Sequence, residues 1–129
     1  MKSYTDLDQS KKLAEILPIE SADMYYHNRV DIPDNFPLPI EWKRGLPLLS
    51  QEIPCWSLAA LFDLLPNNEH IGTSISRGSW KIDPVEYVPN TWWCEYEDTE
   101  NQTEFNVSAD NPVDACYEMI IKLHEQNLL

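Results

Sequence analysis

Cys55 is the residue of this chain whose type and position could support covalent catalysis. It stands near the start of the apolar stretch 54–65, PCWSLAALFDLL, which predicts a helix. A cysteine in the first turn of a helix is favoured as a thiolate, and its attack needs an imidazole as the base. His70 and His124 lie downstream, and Gln51 lies upstream where an oxyanion donor could sit. This set would support acyl transfer by a cysteine hydrolase.

The segment CWSLAAL resembles the Cys-Trp start of the nucleophilic helix in papain-like hydrolases. Three features depart from that family: Gln51 is closer to the cysteine, Ile53-Pro54 replaces a glycine, and His124 falls on a predicted helix rather than a strand. The second interpretation is therefore favoured, in which Cys55 is a small buried thiol and Trp56 anchors the helix start. No catalytic residue is assigned, and the chain is predicted not to be an enzyme.

Neither a metal site nor a cofactor site is predicted. The three Cys and three His are scattered through the chain without the short paired spacing of metal ligands. The acidic run 95–104 lacks the glycine and alternating ligands of a calcium loop. Three Gly in the whole chain cannot supply a glycine-rich phosphate loop.

The charge distribution is strongly acidic. Nine Lys and Arg stand against 22 Asp and Glu, for a net charge of −13, and no Lys or Arg occurs between Lys81 and Lys122. Such a surface repels a phosphate backbone and an anionic membrane, so direct binding of nucleic acid or membrane is disfavoured. A basic protein partner would be attracted.

The length and composition predict one domain over residues 1–129. With 43% hydrophobic residues the chain can build a core, and its length is typical of a single unit. The N-terminus lacks the apolar run of a signal peptide, and no stretch approaches the roughly 18 apolar residues that span a bilayer. An odd number of cysteines without short spacing favours a reduced, cytoplasmic setting.

Three helices are predicted, at 5–17, at 54–65 and after Asn111. The last has the clearest pattern, with Asn111 as the cap, Pro112 in the first turn, and an apolar stripe at helical spacing. The stripe consists of Val113, Cys116, Met119, Ile120 and Leu123. Between the first two helices, residues 18–54 combine repeated prolines with many apolar side chains, which favours an ordered, extended wrap over the core.

An antiparallel hairpin is predicted from strands 91–98 and 103–109, and a weaker strand at 80–82 that Pro84 limits. One face is formed by Trp92, Cys94 and Tyr96, and the matching face of the partner strand by Phe105, Val107 and Ala109. The expected fold is α+β. It has two N-terminal helices with a Pro-rich wrap, a small antiparallel sheet of two or three strands, and the C-terminal helix packed on that sheet.

Trp93 defines the candidate interaction surface. Adjacent strand residues face opposite ways, so Trp93 emerges beside Glu95 and Glu97 if Trp92 faces the core. An exposed aromatic side chain suits a protein-binding surface, because aromatic residues are over-represented at the centres of interfaces. The candidates are Trp93, Glu95, Glu97, Asp98 and Glu100. The alternative is that the wrap 18–54 covers Trp93.

Two further resemblances concern the second half of the chain. PCWSLAAL together with ADNPVDACYEMIIKLHE resembles small uncharacterised proteins of gut bacterial genomes and their prophages or mobile elements, which implies no known activity. The hairpin followed by SADNPVDACYEMIIKLHE is similar to the end of a HicB-type antitoxin, where a meander leads into a helix. The match is at residues 111–115, while the turn of Pro-Gly-Cys type and a DNA-binding tail are missing.

The sequence therefore favours a non-enzymatic, acidic, cytoplasmic protein-interaction module, with a basic partner and with a mobile element as its source. Two other classes stay open. One is an inhibitor that mimics nucleic acid, or a HicB-like antitoxin, occupying a basic groove through the lysine-free segment. The other is a papain-like cysteine hydrolase that uses Cys55.

Overall fold

The computed structural model describes residues 2–27, 36–82 and 85–129, with the backbone alone for 79–82. Over these ranges the fold is α+β, with three α-helices and two three-stranded antiparallel sheets. The helices are α1 (Leu7–Ala14), α2 (Leu58–Leu64) and α3 (Pro112–Glu125). The strands are β1 (Met24–Tyr26), β2 (Leu38–Pro39), β3 (Ile53–Cys55), β4 (Ile71–Ile82), β5 (Val85–Asp98) and β6 (Thr103–Ala109). None of the helices described is long and apolar enough to cross a membrane.

Helix α1 begins at a reciprocal cap. The Asp6 carboxylate accepts a hydrogen bond from the Gln9 amide at 2.8 Å, and the Gln9 side chain accepts one from the Asp6 amide at 3.1 Å. This capping box fixes the first turn. Helix α1 is shorter than the predicted 5–17 and ends at Ala14. The chain continues as a turn, in which Leu17 is still buried.

The predicted start of the second helix at Pro54 is wrong. Pro54 and Cys55 lie in β3, where they pair with Tyr25 and Met24 of β1. Helix α2 begins one turn later, because the Ser57 hydroxyl accepts a hydrogen bond from the Ala60 amide at 3.2 Å and caps it. A proline is tolerated in β3 because that strand is at the edge of its sheet, whose order is β2-β1-β3.

The described part of the segment 18–54 contains strands β1 and β2 and two short 3₁₀ helices, Ile19–Ser21 and Ile40–Lys43. It is therefore more regular than the extended wrap that the prolines predict. Residues 28–35 of the wrap, with Pro33, lie outside the described residues.

A buried ion pair closes the loop between the second 3₁₀ helix and β3. Lys43 Nζ is 2.6 Å from Glu52 Oε1, and the two side chains are 13% and 7% exposed. The same carboxylate oxygen accepts a hydrogen bond from the Leu49 amide at 2.8 Å, and the Lys43 ammonium lies 5.5 Å from the centre of the Tyr25 ring. Trp42, next to Lys43 in the second 3₁₀ helix, has a largely exposed side chain.

The second sheet has the order β4-β5-β6 and contains the predicted hairpin. Strands β5 and β6 pair from Trp92 opposite Ala109 to Asp98 opposite Thr103. Strand β5 is much longer than predicted, because it runs through Pro89 without ending. The register of β4 against β5 shifts between Arg77 and Ser79, so the proline lies where ladder pairing is already interrupted.

Gly78 occupies this bulge, with φ of +81°, and a Cβ built on it would overlap the Tyr87 phenol ring. Gly78→Ala should therefore destabilise the protein by about 2 kcal/mol, since alanine is strained at positive φ and displaces Tyr87. The matched control is Gly72→Ala on the same strand, where a Cβ meets nothing within 4 Å; we expect a change below about 0.5 kcal/mol. Urea unfolding of both variants measures this, and equal midpoints would contradict the assigned bulge.

Helix α3 contacts β5, β6 and α2 and forms one wall of the core. The predicted cap is present, because the Asn111 side chain accepts a hydrogen bond from the Asp114 amide at 2.9 Å. The predicted stripe is buried as well: Val113, Cys116, Met119, Ile120 and Leu123 have no exposed surface. Cys94 and Tyr96 on the inner face of β5 are buried in the same cluster.

Candidate functional site

Cys55 lies in the protein interior. The side chain has no exposed surface, and its Sγ is 3.4 Å from the Thr5 carbonyl oxygen and 3.5 Å from the Thr5 hydroxyl. Burial raises the pKa of the Cys55 thiol, which opposes formation of the thiolate that nucleophilic attack requires. Because β3 carries this residue, the helix dipole that the sequence predicted for it is not in place. Burial of Cys55 and Trp56 is confirmed.

Cys55 belongs to a buried polar cluster that the sequence analysis missed. The Thr5 hydroxyl is 2.7 Å from the Ser10 hydroxyl and accepts a hydrogen bond from the Trp56 amide at 3.2 Å. The Tyr26 hydroxyl donates to the Thr5 carbonyl at 2.7 Å, and burial raises the Tyr26 pKa far above its usual value. These contacts attach the N-terminal segment to β1 and β3, so the cluster has a structural role. No local sequence pattern predicts this cluster, since its members are far apart in sequence.

The outer face of the second sheet carries the predicted carboxylates. Along β5, Trp93, Glu95 and Glu97 alternate with the buried Cys94 and Tyr96, as the sequence predicts. Glu95 and Glu97 are exposed, and Trp93 is half-buried. The alternation thus brings three of the five predicted surface residues onto one face.

The strand register adds residues from β4 and β6 to this face. Ser76 and Ser108 flank Trp93, and Glu104 lies directly opposite Glu97. Glu104 is exposed and was not singled out by the sequence analysis, because its position depends on the pairing of β5 with β6. Like charges directly opposite one another destabilise a sheet. We call Trp93, Glu95, Glu97 and Glu104 the acidic face.

Asp98 and Glu100, the other two predicted surface residues, do not belong to the acidic face. The Asp98 carboxylate accepts hydrogen bonds from the Asn101 side chain at 2.8 Å, from the Asn101 amide at 3.1 Å and from the Glu100 amide at 3.0 Å. These hydrogen bonds lower the pKa of the Asp98 carboxyl, and the bond from the Asn101 side chain has the largest effect. Asp98 therefore organises the turn between β5 and β6. Glu100 is exposed in that turn, with its carboxylate 3.9 Å from His70 Nε2.

The indole nitrogen of Trp93 is enclosed and has no hydrogen-bond partner among the described residues. A buried donor without an acceptor is unfavourable, and tryptophan nitrogens usually find a partner. Trp93 is half-buried, which lies between the exposed position of one prediction and the cover by the wrap 18–54 of the alternative. Its ring contributes aromatic surface to the acidic face.

The residues described contain no group of three or more His, Cys, Asp or Glu placed to hold a metal ion. The acidic face in particular has its carboxylates on neighbouring strands of an open sheet surface. Their arrangement is suited to contact with positive charge on another molecule, where each carboxylate can accept a hydrogen bond from a Lys or Arg side chain.

Comparisons of the sequence and the structure with known proteins give no match. No protein-family model matches the chain, and neither the curated proteins nor the solved structures give a significant match. The resemblances to small gut bacterial proteins and to HicB-type antitoxins therefore stay predictions.

Proposed function

We propose that the chain is a non-enzymatic protein-interaction module that binds a basic protein through the acidic face. The observation that carries this proposal is the pairing of Glu97 directly opposite Glu104, next to Glu95, on an exposed sheet surface. None of these three carboxylates forms an ion pair with a described residue. A cationic partner would supply the missing counter-charge.

The opposed carboxylates have an energetic consequence for binding. Two like charges about 5 Å apart at a surface repel each other by about 1 kcal/mol in water-like screening. The free protein retains this unfavourable term, and contact with a Lys or Arg side chain would remove it. The net charge of −13 adds a longer-range attraction that speeds encounter with a basic partner.

Trp93 supports the same proposal as an aromatic contact. Tryptophan is enriched at the centres of interfaces, where neighbouring polar contacts exclude water. The small side chains of Ser76 and Ser108 on either side would let a partner approach the ring closely.

The remaining parts of the proposal concern chemistry and location. The buried position and raised pKa of Cys55 support a non-enzymatic role. All three cysteines are free thiols, which is consistent with the reducing cytoplasm that we propose as the compartment. The proposed origin on a mobile element rests on the resemblance of the sequence alone.

A charge-matched pair of variants tests the proposal with a defined probe, a fluorescein-labelled oligolysine peptide. The test variant carries Glu95→Gln, Glu97→Gln and Glu104→Gln; the control carries Glu15→Gln, Glu20→Gln and Glu125→Gln, which are also exposed. Three surface pairs at about 0.5 kcal/mol each predict about tenfold weaker binding for the test variant at low salt. The control should weaken binding less than about twofold, since its charges lie outside the face. Equal losses in fluorescence anisotropy titrations would contradict a localised binding face.

A further inference from the structure

Strand β4 forms one edge of the second sheet, whose order is β4-β5-β6. Among the described residues, β5 is its strand partner on one side, and the other side of β4 pairs with no strand. An edge of this kind carries backbone N–H and C=O groups that can pair with a further chain. Such edges bind extended peptide segments in the mode called β-augmentation.

The backbone groups of β4 alternate between β5 and the free edge. The Ile71 carbonyl accepts a hydrogen bond from the Asn68 amide at 2.8 Å, and the Ile71 amide donates one to the Asn68 side chain at 3.0 Å. Both groups of Ile71 therefore point away from β5. Because every second residue of an antiparallel strand points its groups to the same side, Thr73 and Ile75 direct theirs to the free edge.

A shallow groove lies on the outer face beside this edge. It is lined by Gly72 and Ser74 of β4 and by Glu95, Glu97 and Glu104 of the acidic face. In the strand register Gly72 is opposite Glu97 and Ser74 is opposite Glu95. A strand added to β4 would lie two strand spacings, about 10 Å, from β5. The long stem of a lysine can cross this gap, because only the small Gly72 and Ser74 lie between.

The other edge of the sheet gives poorer access to the same carboxylates. On β6, Asn106 is opposite Glu95 and Glu104 is opposite Glu97. These larger side chains would stand between a strand added to β6 and the carboxylates of β5. The β4 edge is therefore the one from which a cation reaches the centre of the acidic face.

We propose that the basic partner binds as an extended segment that adds antiparallel to β4, with Lys or Arg on the outer face and β-branched residues on the inner face. This binding mode rests on the proposed function, whose partner it describes. The segment would pair with the free backbone groups of Thr73 and Ile75. Its cations would contact Glu95 and Glu97. On the inner face Ile75 is only partly buried against the core, and a β-branched side chain would cover its remaining surface.

Two methylated peptides test the strand pairing without any change to the protein. The probe is a fluorescein-labelled heptapeptide in which lysine and threonine alternate, starting with lysine. Peptide residues that pair with Thr73 and Ile75 have inner-face side chains, so they are the threonines. N-methylation of the three threonines should weaken binding at least about tenfold. N-methylation of three lysines, whose N–H groups point to solvent, should change it less than about twofold. Fluorescence anisotropy titrations measure both.

Amide hydrogen exchange of the protein locates the added strand. The unmethylated peptide should slow exchange at Thr73 and Ile75 several-fold and leave Asn106, on the β6 edge, unchanged. Protection at Asn106, no binding of the unmethylated peptide, equal affinities for the two methylated peptides, or the reverse order would overturn the proposal. Protection of Thr73 and Ile75 that rises with protein concentration without peptide would assign the edge to a second copy of the chain, and would overturn it as well.

The triple Gln variant of the acidic face separates this proposal from the proposed function. If the two methylated peptides bind equally but the variant binds the unmethylated peptide about tenfold more weakly than wild type, the acidic face binds cations without strand pairing. The proposed function then stands and the binding mode at β4 falls. If the variant binds that peptide as tightly as wild type, the proposed function falls too.

Discussion

Trp56→Ala should lower the free energy of unfolding by about 4 kcal/mol, the largest single-residue effect that we expect. Trp56 is the largest of the fully buried side chains described and lies between β3 and α2. Its indole nitrogen donates a hydrogen bond to the Ser21 hydroxyl at 2.9 Å. The substitution therefore opens a large cavity and leaves that hydroxyl without its donor.

Trp42→Ala is the matched control, since it removes the same atoms from a side chain that is 56% exposed. We expect it to cost less than about 1 kcal/mol, because little of its surface leaves water on folding. Urea unfolding followed by circular dichroism compares the two variants without relying on tryptophan fluorescence. Similar urea midpoints for the two variants would mean that Trp56 is not buried. They would also contradict the burial of its neighbour Cys55.

Lys43→Met should destabilise the protein by about 3 kcal/mol at neutral pH. The Lys43 ammonium is the cation next to the Glu52 carboxylate, and both are largely buried. Removing one partner of a buried pair leaves the other charge without compensation, which is much more costly than the loss of a surface pair. Lys11→Met, at an exposed position of α1, is the control and should change stability by less than about 0.5 kcal/mol.

The pH dependence of this effect has a defined sign. Burial alone would raise the pKa of the Glu52 carboxyl, but hydrogen bonds from Lys43 and the Leu49 amide outweigh it, and the net pKa is lowered from 4.5. The ionised carboxylate therefore stabilises the wild type above about pH 4.5, and this contribution is lost as the pH falls through the lower folded-state pKa. In Lys43→Met the destabilisation should shrink over the same acid range, because a protonated Glu52 no longer needs the cation. A deficit that stays constant down to pH 3 would contradict the ion pair.

Local patterns in the sequence predicted the parts of the fold whose cause is local. Asn111 and Pro112 start α3, and the spacing of its apolar residues identifies its buried face. The alternation along β5 likewise identifies which side of the hairpin faces inward. In both cases the information lies within a few residues of chain.

The misplaced start of α2 has a non-local cause. Pro54 is compatible with a first helical turn and with an edge strand, and the choice is made by β1, some thirty residues earlier, which offers a pairing edge. The Thr5 cluster around Cys55 depends on the same arrangement. A cysteine that looks catalytic from its neighbours in sequence is thereby enclosed by residues that are distant in sequence.

The acidic face was predictable in part for the same reason. Trp93, Glu95 and Glu97 follow from alternation within one strand, whereas Glu104 follows only from the register of β5 with β6. Asp98, although it is next to Glu97, is taken up by hydrogen bonds within its own turn. Strand pairing and turn geometry therefore decide which carboxylates a partner can reach. The number of acidic residues in the sequence does not decide this.

Site-specific photo-crosslinking tests the binding face most directly. Benzoylphenylalanine replaces Ser76 or Ser108, the exposed residues on either side of Trp93, or Glu20 as the exposed control, and each protein is irradiated in extract of the cells that encode it. We predict a discrete protein adduct from positions 76 and 108 that is lost when Glu95, Glu97 and Glu104 are changed to Gln, and none from position 20. Absence of adducts at 76 and 108, or equal adducts at position 20, would contradict binding through this face.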